Sequence, residues 1–216
     1  MQRQEALTLS QVLVPERTLV TDVLLVLGGS AVVALFAQLT IPLFPVPITG
    51  QTFAVLLVGA ALGSKRGGLA LLAYVGEGLL GLPVYQGGNS AWVPNRFGEP
   101  YITGSTVGFL VGFVLAAFVV GWLAEHYALS RMPSRMLLLM FVGNVILYVP
   151  GLIWLQMWLT AHEVPASVWQ AGLLPFLPGD ALKLLAASVV GPGAWDLVGK
   201  LRGAQGSGDA IPGSRE

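Results

Sequence analysis

A chain of 216 residues in which 55% are hydrophobic and only 10% charged lies outside the composition of ordinary water-soluble domains. Eleven basic residues balance eleven acidic ones and sit mostly between long apolar runs, so the zero net charge describes a membrane protein and leaves no nucleic-acid footprint. The absence of cysteine excludes structural disulfides, thiolate metal sites and thiol nucleophiles.

The polar start, Met1 to Arg17, lacks a basic n-region, a short apolar core and an A-x-A site, so no cleaved signal peptide is expected and the first span is expected to target the chain. A bilayer core of about 30 Å needs about 20 apolar helical residues. Six segments are expected to cross: 19–39, 49–62, 67–82, 106–124, 136–159 and 178–198, the second and third being short. Gly191-Pro192-Gly193 is expected to kink or break the last one. The fold class is therefore all-α, a polytopic bundle over residues 19–200, with a polar segment 1–18 before it and a disordered tail, 201–216, after it.

Lysine and arginine mark the retained side. Arg3, Arg17, Lys65, Arg66, Arg131, Arg135, Lys200, Arg202 and Arg215 fall at one end of the expected bundle, whereas the connections at the other end hold only Arg96. Both termini are thus expected in the cytoplasm. The outward connections differ chemically from the inward ones. The first carries Pro42, Pro45 and Pro47, which favour a stiff, extended path before Thr49, Gln51 and Thr52. The second, from Pro83 to Tyr101, mixes Tyr85, Gly87, Gly88, Asn89, Trp92 and Arg96, a composition able to close over a ligand; interfacial anchoring is the alternative for its aromatics.

Asp180 and Lys183 stand three residues apart at the head of the sixth span and share a helix face. Ionisable groups at membrane depth usually face a cavity or a partner. The Pro178-Gly179 start suggests a helix beginning inside the bilayer, where transporters place substrate groups. The alternative is an aspartate in a first helical turn paired with a snorkelling lysine. Glu77, in the third span, suits either ligand contact or a structural hydrogen bond. No nucleotide-binding loop is present, since Gly199-Lys200 is followed by Leu201. His126 and His162 are expected at opposite interfaces, both solvated, so no shared metal or catalytic dyad is expected. Neither a filter ring nor a clear internal repeat is visible.

Four runs together resemble a known family: Pro45-Val46-Pro47-Ile48-Thr49-Gly50-Gln51-Thr52-Phe53-Ala54-Val55-Leu56-Leu57; Gly81-Leu82-Pro83-Val84-Tyr85 with Gly87-Gly88; Thr103-Gly104 through Phe113; and Pro175-Phe176-Leu177-Pro178-Gly179-Asp180 with Lys183. Their order and spacing look like BioY, the substrate-capturing subunit of energy-coupling-factor biotin transporters. The chain departs from that pattern in a longer, more polar stretch from Ala91 to Tyr101, and in Gly104-Ser105-Thr106-Val107-Gly108 where Gly-Pro-Thr-Gly-Gly is common.

The resemblance implies a non-enzymatic six-helix subunit of a prokaryotic cytoplasmic membrane that binds biotin from outside and needs no cofactor. A separate transmembrane coupling protein and two cytoplasmic ATPases would energise it, the whole domain toppling to present its cavity inward. Ser30, Ala31, Ala34 and Ala37 on the first span would permit close approach of the coupling protein, or equally pack inside the bundle. On this reading Asp180 accepts the ureido N–H donors, Asn89 donates to the ureido carbonyl, and Lys183 or Arg96 holds the carboxylate, with the sixth helix N-terminus assisting. Tyr85 and Trp92 would cover the rings, while Gln51, Thr49, Gly87, Gly88 and Glu77 complete the candidate wall. A capture subunit for thiamin or riboflavin is the nearest alternative, and the bases beside Asp180 favour an anionic ligand over thiamin. An intramembrane enzyme using Asp180 or Glu77 would need a nucleophile or metal constellation that the sequence lacks.

Overall fold

The computed structural model describes residues 8–13, 18–127 and 129–208. Long apolar runs without water to satisfy the backbone must close their hydrogen bonds internally, which leaves helices as the economical form. The helices are α1 (Leu9–Leu13), α2 (Leu19–Ala37), α3 (Gln51–Leu62), α4 (Ser64–Leu79), α5 (Val107–Tyr127), α6 (Pro133–Ala161), α7 (Val168–Gly172) and α8 (Leu177–Gly208). A two-stranded ribbon, β1 (Thr40–Ile41) with β2 (Ile48–Thr49), pairs Thr40 with Thr49 and Ile41 with Ile48. Thus the first proline-rich connection is a small hairpin and not simply an extended stretch.

Among the described residues four helices are long and apolar enough to cross a membrane: Leu19–Ala37, Val107–Tyr127, Pro133–Ala161 and the part of α8 from Leu177 to Lys200. Helices α3 and α4 have 12 and 16 residues, lengths of about 18 and 24 Å, short of an average hydrocarbon core. They form a tight helical hairpin at Gly63. A Cβ there would lie 2.1 Å from Glu125 Oε1, and φ is +86°, so both space and backbone call for glycine. Glu125, reaching over from α5, accepts from the Ser64 backbone N–H (3.0 Å) and hydroxyl (2.7 Å), placing an anion at the N-terminus of α4.

Small residues set the core seams. A Cβ on Gly108 would come 2.4 Å from Pro150 O, and one on Gly112 would come 2.4 Å from Leu147 O, so α5 and α6 meet backbone to backbone. Gly59 meets Ala117 in the same manner across α3 and α5. At the start of α2, Thr18 accepts from Thr21 N while the Thr21 hydroxyl accepts from Thr18 N, a reciprocal cap. Asp22 pairs with Arg66 of α4.

Helix α8 runs without a break through Gly191-Pro192-Gly193, so of the expected kink or break the break does not occur. Proline removes only one ladder hydrogen bond, and the segment beyond it is fastened: Trp195 Nε1 donates to Ser130 Oγ at 3.1 Å, and the Arg131 guanidinium lies 4.4 Å from the Trp195 ring centre. The helix continues to Gly208, past the boundary expected at residue 200; residues 209–216, like Arg3 and Arg17, lie outside the described residues.

Cross-contacts fix the sense of the bundle. Asn144 and Thr52 meet Asp180 and Lys183, while Ser130 meets Trp195, so α3 and α8 begin at the end where α6 finishes. That end carries the connections 38–50, 80–106 and 162–176. The opposite end carries Gly63, Lys65, Arg66, Arg131 and Arg135.

Candidate binding cleft

The connections 38–50 and 80–106 enclose a cleft at the end of the bundle where α3, α5 and α8 begin. Its outer chamber, about 320 Å³, is walled by Pro42, Phe44, Asn89, Arg96, Phe97 and Trp158 among others. A narrower inner chamber of about 40 Å³ lies between helices, with Thr49, Gln51, Thr52, Phe109, Tyr148 and Lys183 on its wall. Pro47, Gln86, Tyr101 and Thr106 line both, so the chambers adjoin. The combined lining is mostly apolar with a few placed polar groups, the usual composition of a small-molecule site.

Turn chemistry holds the walls in place. Asn95 Oδ1 accepts from the backbone N–H of Phe97 (2.9 Å) and Glu99 (3.1 Å), closing a turn inside a short hairpin bridged at Pro94 and Pro100. Ser105 Oγ donates to Pro45 O at 2.6 Å and ties the two connections together. Trp154 Nε1 donates to Gly104 O at 2.9 Å, anchoring the second connection to α6.

At the inner end the Asp180 carboxylate, 3% exposed, is surrounded by donors. Oδ2 accepts from Tyr148 Oη and from Asn144 Nδ2 (3.2 Å), and Oδ1 accepts from Lys183 Nζ (3.1 Å). Lys183 Nζ also donates to Thr52 Oγ1 at 2.9 Å. A buried charge is tolerable when paired and hydrogen-bonded in this way. Since each carboxylate oxygen offers about two lone-pair sites, Oδ2 is filled while Oδ1 keeps one acceptor site. Lys183 lines the inner chamber and has a third N–H beyond its two partners. Asp180 and Lys183 are therefore paired with each other; Lys183 lines the inner chamber, whereas Asp180 lines neither chamber and sits behind Lys183 against a void of about 10 Å³ shared with Thr52 and Asn144.

Arg96 is exposed on the outer wall with its guanidinium 4.3 Å from the Phe44 ring centre. Among the described residues it makes no ion pair within 4 Å. Asn89 and Gly87 line the same chamber, Asn89 using one amide hydrogen on Gln86 O (2.8 Å). Gly87 and Gly88 have φ of +68° and +74°, and Gly88 lies off the lining. Gln51 and Thr49 are buried on the inner wall, Thr49 Oγ1 donating to Gln51 Oε1 (3.0 Å) and Gln51 Nε2 to Tyr74 Oη (2.7 Å).

Other candidates stand elsewhere. Tyr85 is fully buried: its hydroxyl donates to Val75 O (2.8 Å), and its ring packs against Tyr74, Tyr101 and the space left by Gly78. Burial pushes its phenol up to about 12, so it remains a neutral donor. Trp92 is 58% exposed and donates to Leu79 O (2.8 Å), off both chambers. Glu77 accepts from Ser30 Oγ at 2.6 Å between α4 and α2, the structural of its two readings. Ser30 and Ala37 are wholly buried, so internal packing holds for them, whereas Ala31 is exposed and Ala34 half-buried.

His162 is not the solvated side chain that its position suggests. Its ring stacks on Trp158 (4.2 Å between centres, 22° apart), Nδ1 lies 2.9 Å from Trp158 O, and Nε2 lies 3.1 Å from Glu99 Oε1. His126, at the opposite end, is exposed and bonded to Trp122 O. The residues missed by sequence reasoning are chiefly Asn144 and Tyr148. They lie four apart in an apolar span, hence on one face, and that spacing was the available signal. Phe44, Phe97 and Trp158 carried none beyond their type.

The BioY family model matches residues 4–200. Over 174 residues the chain is 38% identical to a protein of Rhodobacter capsulatus named biotin transporter BioY, covering 76% of this chain and 87% of that one. A Thermotoga maritima protein of the same name is 34% identical over 161 residues, covering 74% and 88%. The fold matches a crystal structure described as the S-component for biotin from an ECF-type ABC transporter, with a TM-score of 0.66, 23% identity, and coverage of 87% of this chain and 95% of that one.

Proposed function

The chain belongs to the BioY family, and on that premise we propose that it is the biotin-capturing membrane subunit of an energy-coupling-factor transporter, holding biotin along the two adjoining chambers. The observation that carries this placement is the pair of bases at opposite ends of one cleft: Arg96, with no ion-pair partner among the described residues, on the outer wall, Lys183 held by Asp180 and Thr52 on the inner. Biotin has a polar ureido ring, an apolar thiophane ring and a valerate tail ending in a carboxylate. The ureido head fits the inner end. One of its N–H groups would use the free acceptor site on Asp180 Oδ1 after a small opening of that buried carboxylate, and its carbonyl would take the third N–H of Lys183. Thr49 and Gln51 complete that wall.

The tail runs outward beneath Phe44 and Phe97, and Arg96 takes the carboxylate in the charge-assisted geometry that guanidinium favours. Asn89, on the wall of the same chamber, supplies its remaining amide hydrogen. This arrangement gives the carboxylate to Arg96 over Lys183, because Lys183 already shares its charge with Asp180. Six crossings with both termini cytoplasmic put the cleft outside, a reading supported by the basic residues at the opposite end. Energy then comes from partners: a coupling protein meeting the exposed Ala31 and half-buried Ala34 on α2, and two ATPases. A groove of about 1220 Å³ among α2, α4 and α5 at the basic end, lined on α2 by Leu19 to Leu27 and not by the two alanines, offers further room for a partner.

Binding of radiolabelled biotin to the purified chain, with thiamin and riboflavin as competitors, tests the reading. Biotin alone should compete. Arg96→Gln should weaken biotin at least tenfold while leaving a biotin amide bound about equally by variant and wild type; equal biotin binding by both sinks the carboxylate assignment.

A further inference from the structure

The hairpin that carries Arg96 and Phe97 is fastened to the end of α6 at one polar point, His162 with Glu99. The ring nitrogens decide the chemistry there. Nδ1 faces the Trp158 carbonyl at 2.9 Å and Nε2 faces a Glu99 carboxylate oxygen at 3.1 Å. Both partners are acceptors only, so both nitrogens must donate for both bonds to form, and that is the imidazolium form. With one proton removed, one nitrogen would turn a lone pair towards an oxygen lone pair, and one of the two bonds would be lost.

The same ring is part of the cleft wall. It stacks on Trp158, which lines the outer chamber, and it contacts Phe97 with ring centres 5.0 Å apart. Phe97 in turn meets Trp158 at 5.3 Å. Trp158 Nε1 is buried with no hydrogen-bond partner, so among the described contacts only ring packing orients that indole. Glu99 sits across the hairpin turn from Arg96, and Asn95 joins the two strands by accepting from the Glu99 N–H. Displacing Glu99 therefore moves the turn that carries Arg96 and Phe97.

We propose that His162 is a positioning residue for ligand capture: with Glu99 it forms a proton-dependent tether that holds the Arg96–Phe97 hairpin over the outer chamber. This rests on the biotin-capture reading for its consequence, though the tether itself does not. The charged groups near His162 are few. The hairpin contributes Glu99 and Arg96, the latter lying over Phe44; Glu163, exposed, follows in the chain. The connection 38–50, α7, and the facing ends of α5 and α6 contribute none.

The Trp158 carbonyl and then Glu99 raise the affinity of His162 for a proton above its ordinary value of 6.5, against some desolvation. For a raised histidine pKa the sign is fixed: the tether is complete below about 6.5 and is lost as pH rises through the raised value. Biotin should then leave faster from the side facing the cleft as the medium becomes alkaline.

The test measures biotin dissociation from the purified chain between pH 6 and 8.5, together with the titration of the His162 imidazole by NMR in ligand-free protein on a His126→Gln background. In wild type, dissociation should quicken about two- to fivefold across this range, the scale of a partly exposed ion pair. His162→Gln should be fast and flat with pH, His162→Lys slow and flat, and Glu99→Gln should lower the His162 pKa. An unchanged pH profile in His162→Gln, or a His162 titration indifferent to Glu99→Gln, overturns the tether. A chain that binds no biotin at any pH overturns the capture reading instead, and the ligand-free titration still decides the tether.

Discussion

Tyr148 and Asn144 stand one helical turn apart on α6, so both donate to the same oxygen of Asp180, and Lys183 donates to the other. Hydrogen bonds to a buried charge contribute more than neutral ones, about 1.5–3 kcal/mol each. Tyr148→Phe should therefore lower thermal stability in detergent by an amount in that range, and should weaken biotin through a shifted Asp180. Asp180→Asn removes the charge that holds Lys183 and should cost biotin affinity at least tenfold; affinity equal to wild type would leave the pair purely structural. The ionisable members of this network were legible in the sequence because charge in an apolar span is conspicuous. Asn144 and Tyr148 were less so, since neither is unusual alone. Tyr85 and Trp92 show the limit more sharply. Residue type and loop position could not tell a ring facing the cleft from one buried under it, as Tyr85 is, or one lying outside it, as Trp92 is. That distinction is made by tertiary packing, here the ring-sized space beside Gly78.

Two helices of this bundle pack closest where side chains are absent. The α5 and α6 backbones touch at Gly108 and Gly112, where any Cβ would overlap a carbonyl oxygen. Gly112→Ala should destabilise the chain by about 1–3 kcal/mol, the usual cost of overpacking a close seam, read as thermal unfolding in detergent. Gly76→Ala in α4 is the control, because a Cβ there meets nothing within 4 Å; its helix propensity should make it neutral or slightly stabilising. Equal losses in both would show that the cost is not specific to the seam. Apolar run length sufficed to find the four long helices, and the two short ones on either side of Gly63 were visible as runs too brief to span unaided. What the sequence could not supply was continuity. Proline between two glycines reads as a kink or a break, yet α8 is not broken, and Trp195 and Ser130 fasten its far half from another part of the chain. The β1–β2 pairing was hidden for a similar reason: two residues per strand leave no periodicity to read.

At the scale of the whole molecule, function depends on which face of the membrane the cleft opens to. Chemical asymmetry supplies the argument: the connections at the cleft end contain Arg96 as their only lysine or arginine, whereas Lys65, Arg66, Arg131 and Arg135 gather at the other end. The cost of translocating basic loops favours keeping that end inside. Because the chain has no cysteine, single substitutions report position cleanly. Ser167→Cys, exposed before α7 at the cleft end, should react with a membrane-impermeant maleimide on intact cells, and Ser134→Cys, exposed at the start of α6, should react only after permeabilisation. The opposite labelling pattern would put the cleft inside, leaving Arg96 to face the cytoplasm and the capture of external biotin without a route. Addition of biotin should slow labelling of neither position, since both lie off the chambers. Labelling that biotin does alter would therefore report a rearrangement of the bundle and not simple occlusion.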